Sequence, residues 1–248
     1  MAPTHVAERV KGWAVGLWVE MRPQQWVKNC FVLTPLLFSR NLFAPMIVGQ
    51  AFASFILFCL VSSSVYLLND MQDCSRDRLH PTKRLRPLAA GELNLGVARG
   101  ALVTFLLLAL AGGVLLHKAL ALVLLSYWLI NLLYSTWLKD QVILDVFTLA
   151  SGFVLRVVGG GIAISVEISY WLLLCTTLLA LFLGFSKRRH ELELLGQQAG
   201  AHRQVLEKYN PPFLDMMIGI VAASTVMSYA LYTVSEETVQ RFHTRGCC

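Results

Sequence analysis

MIVGQAFASFILFCLVSSSVYLLNDMQDCSRDRLHPTKRLRP, residues 46–87, begins with 23 residues that carry no charge. It then crowds Asp70, Asp73 and Asp77 into eight positions, and adds His80, Lys83, Arg84 and Arg86. An uninterrupted apolar run of roughly 20 residues is long enough to cross the hydrocarbon core of a bilayer as a helix. Two dense clusters of opposite charge therefore sit at the mouth of a membrane span.

The rest of the chain repeats the apolar half of that pattern. Of its 248 residues, 56% are hydrophobic and 15% charged, and the mean hydropathy of +0.60 lies far above the soluble range. Runs at about 26–38 (short and interrupted), 46–68, 95–116, 119–138, 142–164, 168–186 and 213–234 predict about seven spans. The expected fold is all-α: one polytopic transmembrane helical bundle over residues 1–248. The first apolar stretch, WAVGLWVE, is short and has no small-residue cleavage pattern, which argues against a cleaved signal peptide. The six cysteines have no CxxC spacing, so neither a zinc site nor a disulfide framework is suggested. The terminal Cys247-Cys248 could serve lipidation, which an integral membrane protein hardly needs.

Charge gives the sidedness. With the N-terminus inside, sixteen of the 21 Lys and Arg fall on the inner segments. Only Arg40, Lys118, Arg241 and Arg245 fall outside, and Arg156 lies within a span. That is a strong positive-inside bias, and it turns the charged clusters toward the cytosol. The net charge of +6 reads as topology and attraction to anionic lipid, not as nucleic-acid binding.

If the span continues as helix past Leu68, Asn69, Asp73 and Asp77 fall at i, i+4 and i+8, with Asp70 beside Asp73. A face of carboxylates repels itself, and a divalent cation relieves the repulsion. All-oxygen ligands suit Mg²⁺, which keeps waters and bridges to substrate phosphates. Lys83, Arg84 and Arg86, between two prolines, suit phosphate oxygens. The alternatives are an ordinary helix end paired with Arg76 and Arg78, and a basic patch that does nothing but set topology.

NDMQDCSRD resembles the first aspartate-rich motif, NDxxDxxxD, of the UbiA superfamily of intramembrane prenyltransferases. HPTKRLRPLAAGEL, with RPQQWVKN (22–29), YSTWLKD (134–140) and LRVVGGGIA (155–163), is similar to the decaprenyl-phosphate phosphoribosyltransferase branch. These motifs recur in order over most of the chain. The resemblance implies Mg²⁺-dependent transfer of 5-phosphoribose from phosphoribosyl pyrophosphate to a polyprenyl phosphate, an early step toward lipid-linked arabinose. It also implies a bacterial cytoplasmic membrane with the site facing the cytosol. Two alternatives stay open: prenyl transfer from a diphosphate to an aromatic acceptor, and lipid-phosphate binding without chemistry.

On this reading Asp70, Asp73 and Asp77 hold the metal, and Asp73, Asp77, Lys139 and Asp145 are the catalytic candidates. Lys28, Asn29, Asn69, Lys83, Arg84, Arg86, Tyr134, Arg156, Lys187 and Arg188 are the substrate-binding candidates. Several have structural alternatives. Lys28 and Trp26 could be an interfacial anchor, and Tyr134 and Lys139 an aromatic belt with a snorkelling cation. Asp145 and Arg156, about three turns apart on nearly one face, could pair with each other. SKRRHELELLG (186–196) carries cations where prenyltransferases of the superfamily carry a second aspartate motif. That departure favours a site for a further phosphate. Superfamily members typically have about two spans after the seventh, so the sequence reads as C-terminally shortened. A second chain or self-association is expected to complete the wall.

Overall fold

The computed structural model describes residues 12–39, 42–80, 82–195 and 209–235, which form helices and short connections. Arg40, Pro81 and the terminal Cys247-Cys248 pair lie outside the described residues. In chain order come α1 (Trp13–Glu20), a 3-10 segment (Pro23–Leu33), α2 (Thr34–Leu37) and the long α3 (Pro45–Asp77). A 3-10 turn (Lys83–Leu85) and α4 (Pro87–Ala90) lead into α5 (Leu95–Leu116), α6 (Lys118–Thr136) and α7 (Leu144–Ala163). The last two helices are α8 (Tyr170–Leu195) and α9 (Pro211–Val234).

Six of these helices, not seven, are long and apolar enough to cross a membrane: α3, α5, α6, α7, α8 and α9. The expected first span fails for a local reason. Pro23 disfavours the α conformation at the residue before it, and Arg22 takes up a left-handed conformation (φ 52°). The chain breaks there and continues as 3-10 helix. Helix α3, in contrast, does not stop at Leu68. It runs on through all three aspartates, as the motif spacing requires.

The helices pack as a curved row in the order α3, α5, α6, α7, α8, α9, with the 3-10 segment wedged between α3 and α7. Helices α3 and α7 bury 56% and 50% of their apolar windows, whereas α5 buries 11% and faces outward. Two apolar clusters fill the row. One joins Val32, Phe58, Val61, Leu120, Leu124 and Tyr127. The other joins Val146, Ala180, Phe185, Leu214 and Val221.

Close approach at α7 depends on Gly159, Gly160 and Gly161. Successive helical residues point about 100° apart, so the three glycines meet three neighbours. A Cβ would strike the Phe58 ring from Gly159, the Val32 carbonyl from Gly160 and the Ile168 side chain from Gly161. The glycines serve close packing; the helix runs through them without a break. Gly160→Ala should therefore lower the melting temperature of detergent-solubilised protein, by roughly 1–3 kcal/mol of stability. Gly49→Ala, inside α3 with open space for its Cβ, should leave it unchanged or raise it slightly.

Candidate active site

The inner end of α3 meets two arginines. Asp70 and Asp77, seven residues and so two turns apart, are both almost fully buried on one face. Arg22 donates through Nη2 to both oxygens of Asp70, at 2.6 and 2.8 Å. Arg86 donates through Nη1 to Asp70 at 2.8 Å and to Asp77 at 2.5 Å. Its guanidinium thus bridges two carboxylates that would otherwise repel. Asp73, half-buried between them in sequence, makes no side-chain hydrogen bond or ion pair among the described residues. Asn69 accepts from the Ser135 hydroxyl at 2.6 Å, which ties α3 to α6.

The three aspartates therefore share a region without forming a ready cation cage. No group of three or more metal-binding side chains is gathered among the described residues. The donor set still fits Mg²⁺. Asp73 is open, and the Asp70–Asp77 pair is already organised around a positive charge. Arg22, which sequence reasoning placed only near Trp26, is the second anchor of this cluster. The Arg-Pro break that ends α1 was its one local signal.

Glu20 is a further buried acid that the sequence did not reveal. It is 2% exposed, and one oxygen accepts the Leu88 N–H at 2.9 Å, docking α1 onto the start of α4. Burial pushes its carboxyl up and the neighbouring Asp70 adds to the rise. The Leu88 N–H and Arg22 oppose this only partly, and the group sits at about 7.

A second polar node lies deeper. Arg156 is 4% exposed and donates to Asn29 Oδ1, the Gly152 carbonyl and the Tyr127 hydroxyl, each at 2.8 Å. Its guanidinium also lies over the Tyr127 ring, 4.8 Å from the centroid. Asn29 in turn donates to Ser62 Oγ and Cys59 Sγ on α3. Lys28, next to Asn29, is exposed. Partial desolvation lowers its pKa, and the nearby cations Lys187, Arg156 and Arg22 lower it further.

Asp145 does not pair with Arg156. Both Asp145 and Arg188 are fully buried, and Arg188 Nε donates to Asp145 at 2.5 Å. Arg188 also donates to Glu191 at 2.7 Å and to the Tyr134 hydroxyl at 3.4 Å. The Tyr209 hydroxyl donates to Asp145 at 2.6 Å and accepts the Ile143 N–H at 2.8 Å. Ile143 has φ 70°, a strained value for a β-branched residue, and this network holds that turn at the start of α7. Arg188, expected at a phosphate, is thus committed to locking α6, α7, α8 and the approach to α9. The α7 register explains why the two do not pair: residue 156 turns toward the 3-10 segment, whereas residue 145 meets α8. Lys187, by contrast, is well exposed and reaches Glu191 only at 3.9 Å.

Lys83 and Arg84 are exposed beside Arg86, and their side chains have no partner among the described residues. Lys139 sits in the 3-10 turn Leu138–Asp140, at the same inner end, between α6 and α7. At the opposite end, Phe38, Trp171, Cys175, Tyr229 and Tyr232 line an apolar cavity of about 210 Å³. None of the candidate site residues reaches it.

Residues 31–189 match the UbiA prenyltransferase family. The chain is 38% identical to a decaprenyl-phosphate phosphoribosyltransferase of Corynebacterium glutamicum, over 90% of this chain and 68% of that one. It is 33% identical to a protein of the same name from Mycolicibacterium smegmatis, over 96% of this chain and 78% of that one. Its fold matches a UbiA homologue from Archaeoglobus fulgidus bound to DMAPP and Mg²⁺, with a TM-score of 0.72 and 21% identity. That match covers 92% of this chain and 81% of the other.

Two outcomes follow from the buried charges. Asp145→Asn should destabilise the protein by up to about 3–5 kcal/mol, because it removes the fully buried counter-charge of Arg188 and leaves it only the part-exposed Glu191 among the described residues. Lys187→Ala should leave thermal unfolding unchanged. For Glu20, the folded carboxyl holds its proton to higher pH than the unfolded one, so stability falls as pH rises from about 4.5 to about 7. Glu20→Gln should flatten the melting temperature across that window.

Proposed function

The chain belongs to the UbiA prenyltransferase family, and on that premise we propose that it transfers 5-phosphoribose from phosphoribosyl pyrophosphate to decaprenyl phosphate, releasing pyrophosphate. The observation that carries this reading is the inner end of α3. There, one open carboxylate and an arginine-bridged pair stand beside two exposed cations that have no partner among the described residues. A diphosphate carried with a divalent cation needs both kinds of group. The named relatives supply the substrates.

In the reaction a lipid phosphate oxygen bonds to ribose C1 while the C1–O bond to pyrophosphate breaks, and the pyrophosphate leaves with the electron pair. The acceptor phosphate has a second pKa near 6, so it is already largely ionised at neutral pH and needs no general base. Asp73, with the Asp77 oxygen that Arg86 does not bond, would hold Mg²⁺, and Asp70 would join them by giving up a bond to Arg22 or Arg86. The ion would neutralise charge on the departing pyrophosphate. Lys83, Arg84 and Arg86 hold the remaining phosphate charge, with Lys139 at the same mouth. The chain's own contribution is position and a fixed electrostatic field. Arg22 keeps Asp70 oriented, and the α3 register keeps Asp73 between Asp70 and Asp77. The site faces the cytosol, the source of a charged sugar phosphate, in keeping with the positive-inside bias.

Purified protein incubated with labelled phosphoribosyl pyrophosphate, decaprenyl phosphate and Mg²⁺ should yield labelled lipid and pyrophosphate. Label transfer from a prenyl diphosphate alone would replace this reading with prenyl transfer. Binding of both ligands without pyrophosphate release would replace it with a binding role. Asp73→Asn should abolish turnover while the protein stays folded, since that side chain makes no hydrogen bond or ion pair among the described residues; unchanged turnover at limiting Mg²⁺ would remove its metal role. Lys83→Ala should raise the donor KM about tenfold with a smaller change in kcat.

A further inference from the structure

Resting on that reading, we infer that Glu20 is a positioning residue for the sugar donor: its bond to the Leu88 N–H sets the spacing of the two turns whose arginines grip Asp70.

Glu20 is the one charged residue of α1, WAVGLWVE, and it is buried. Gly16 and Glu20, one turn apart, form the buried face of that helix, whereas Trp13, Val15, Trp18 and Val19 are exposed. A carboxyl on the buried side of an otherwise apolar helix is unfavourable unless a partner answers it. Gly16 brings α1 against α4: a Cβ there would stand 3.5 Å from Pro87 Cβ and 3.7 Å from Leu93 Cβ. An apolar side chain at position 20 would serve that packing. The acid instead accepts a backbone N–H, that of Leu88, at 2.9 Å.

This N–H belongs to the first turn of α4, where the helix has no acceptor of its own to give it. Arg86, the N-cap, makes no side-chain capping bond. Glu20 supplies from 68 positions away what a local cap would supply. At each end of the bond an arginine lies two residues off. The Arg22 N–H bonds the Val19 carbonyl at 3.1 Å, so the end of α1 carries Arg22. The Arg86 carbonyl accepts the Ala90 N–H at 2.8 Å, so the turn that contains Leu88 carries Arg86. Both guanidinium groups converge on Asp70, although their side chains are 32% and 28% exposed. Packing alone does not confine side chains that open; the anchored backbones fix their reach.

The remaining side-chain bonds of α4 lead to α3 and are longer. Arg78 Nε donates to the Ala89 carbonyl at 3.3 Å, and the Cys74 thiol to the Leu88 carbonyl at 3.5 Å. Among the described residues, the Glu20 bond is the one hydrogen bond between α1 and α4. Arg86 uses a single nitrogen, Nη1, for both Asp70 and Asp77. Its other N–H groups, with Lys83 and Arg84 in the turn before it, are those that a diphosphate would meet. A shift of α4 against α1 therefore moves the donor's cations relative to Asp70 and Asp73.

Two variants separate reach from charge. Glu20→Asp keeps the charge and withdraws the oxygen by one methylene. Glu20→Gln removes the charge and keeps an oxygen at the same reach. Binding of phosphoribosyl pyrophosphate with Mg²⁺ is measured without turnover in detergent-purified full-length protein, and KM for each substrate is measured in turnover. Glu20→Asp should weaken donor binding roughly fivefold, the loss expected from one hydrogen bond, and leave the KM for decaprenyl phosphate within about twofold. Glu20→Gln should hold donor binding within about twofold of the unsubstituted protein. Amide hydrogen exchange over residues 86–93, which needs no substrate, should quicken in Glu20→Asp and not in Glu20→Gln. Full donor affinity in Glu20→Asp, equal loss in the two variants, or equal loss for donor and acceptor overturns the assignment. Failure of Glu20→Asp to fold overturns it too, because the bond would then be a requirement of the fold and not of donor placement. If the protein transfers only from a prenyl diphosphate, the phosphoribosyl reading falls, and the same variants tested on that diphosphate decide the role of Glu20. If phosphoribosyl transfer occurs and Glu20→Asp binds the sugar donor normally, the reading stands and the role of Glu20 falls.

Discussion

Asp70 is the group on which the inner half of the molecule is organised. A carboxylate this deeply buried is tolerated only when its charge is answered and its lone pairs are used. Arg22 supplies two hydrogen bonds from the N-terminal segment, and Arg86 supplies one from the far side of the basic turn. Residues 22, 70 and 86 are thereby drawn to one point. The break before Pro23, the charged extension of α3 and the start of α4 meet there. Glu20, bonded to the Leu88 N–H, closes the same junction from below. Because Arg86 also holds Asp77, the cluster sets the direction of two helical turns around Asp73. It leaves that carboxylate as the one aspartate of the motif without an internal partner among the described residues.

A second buried pair, Asp145 with Arg188, does the equivalent work at the other side of the mouth. Its members come from α7 and α8, and Tyr134 and Tyr209 extend it toward α6 and α9. This pair is saturated: each charged atom faces an opposite charge or a hydroxyl. Arg156 is not. Two arginines of similar burial therefore differ in what answers their charge. The first ties α6, α7 and α8 together, and the second ties α7 to the 3-10 segment and α6 through neutral partners. Position in the sequence, within or beside an apolar run, did not separate the two.

Much of the fold was legible because the bilayer imposes a length. Apolar runs of about 20 residues fall where α3, α5, α6, α7, α8 and α9 are found, with ends shifted by a few residues except where α3 and α8 continue into charged sequence. The glycine triplet is compatible with close packing or with a local break, and the tertiary contacts select the first. The first span was misread because hydropathy does not register a backbone break, although the Arg22-Pro23 dipeptide carried the warning. In the site, NDMQDCSRD and TKRLRP pointed to the acidic and basic halves. Glu20, Arg22, Tyr127 and Tyr209 were not picked out, because each gains its role from a partner dozens of residues away.

By itself, the sequence determined that this is a helical membrane protein with its charge gathered at one end. Those properties follow from composition, run length and local motif spacing, which are one-dimensional. Only the tertiary structure decided which arginine answers which aspartate. Pairing depends on helix rotation and on the 3-10 wedge between α3 and α7. A helix turns 100° per residue, so a small change in register hands a buried charge to a different neighbour. That choice made Arg86 a bridge, Arg188 a lock, and Arg156 a cation with no counter-charge among the described residues.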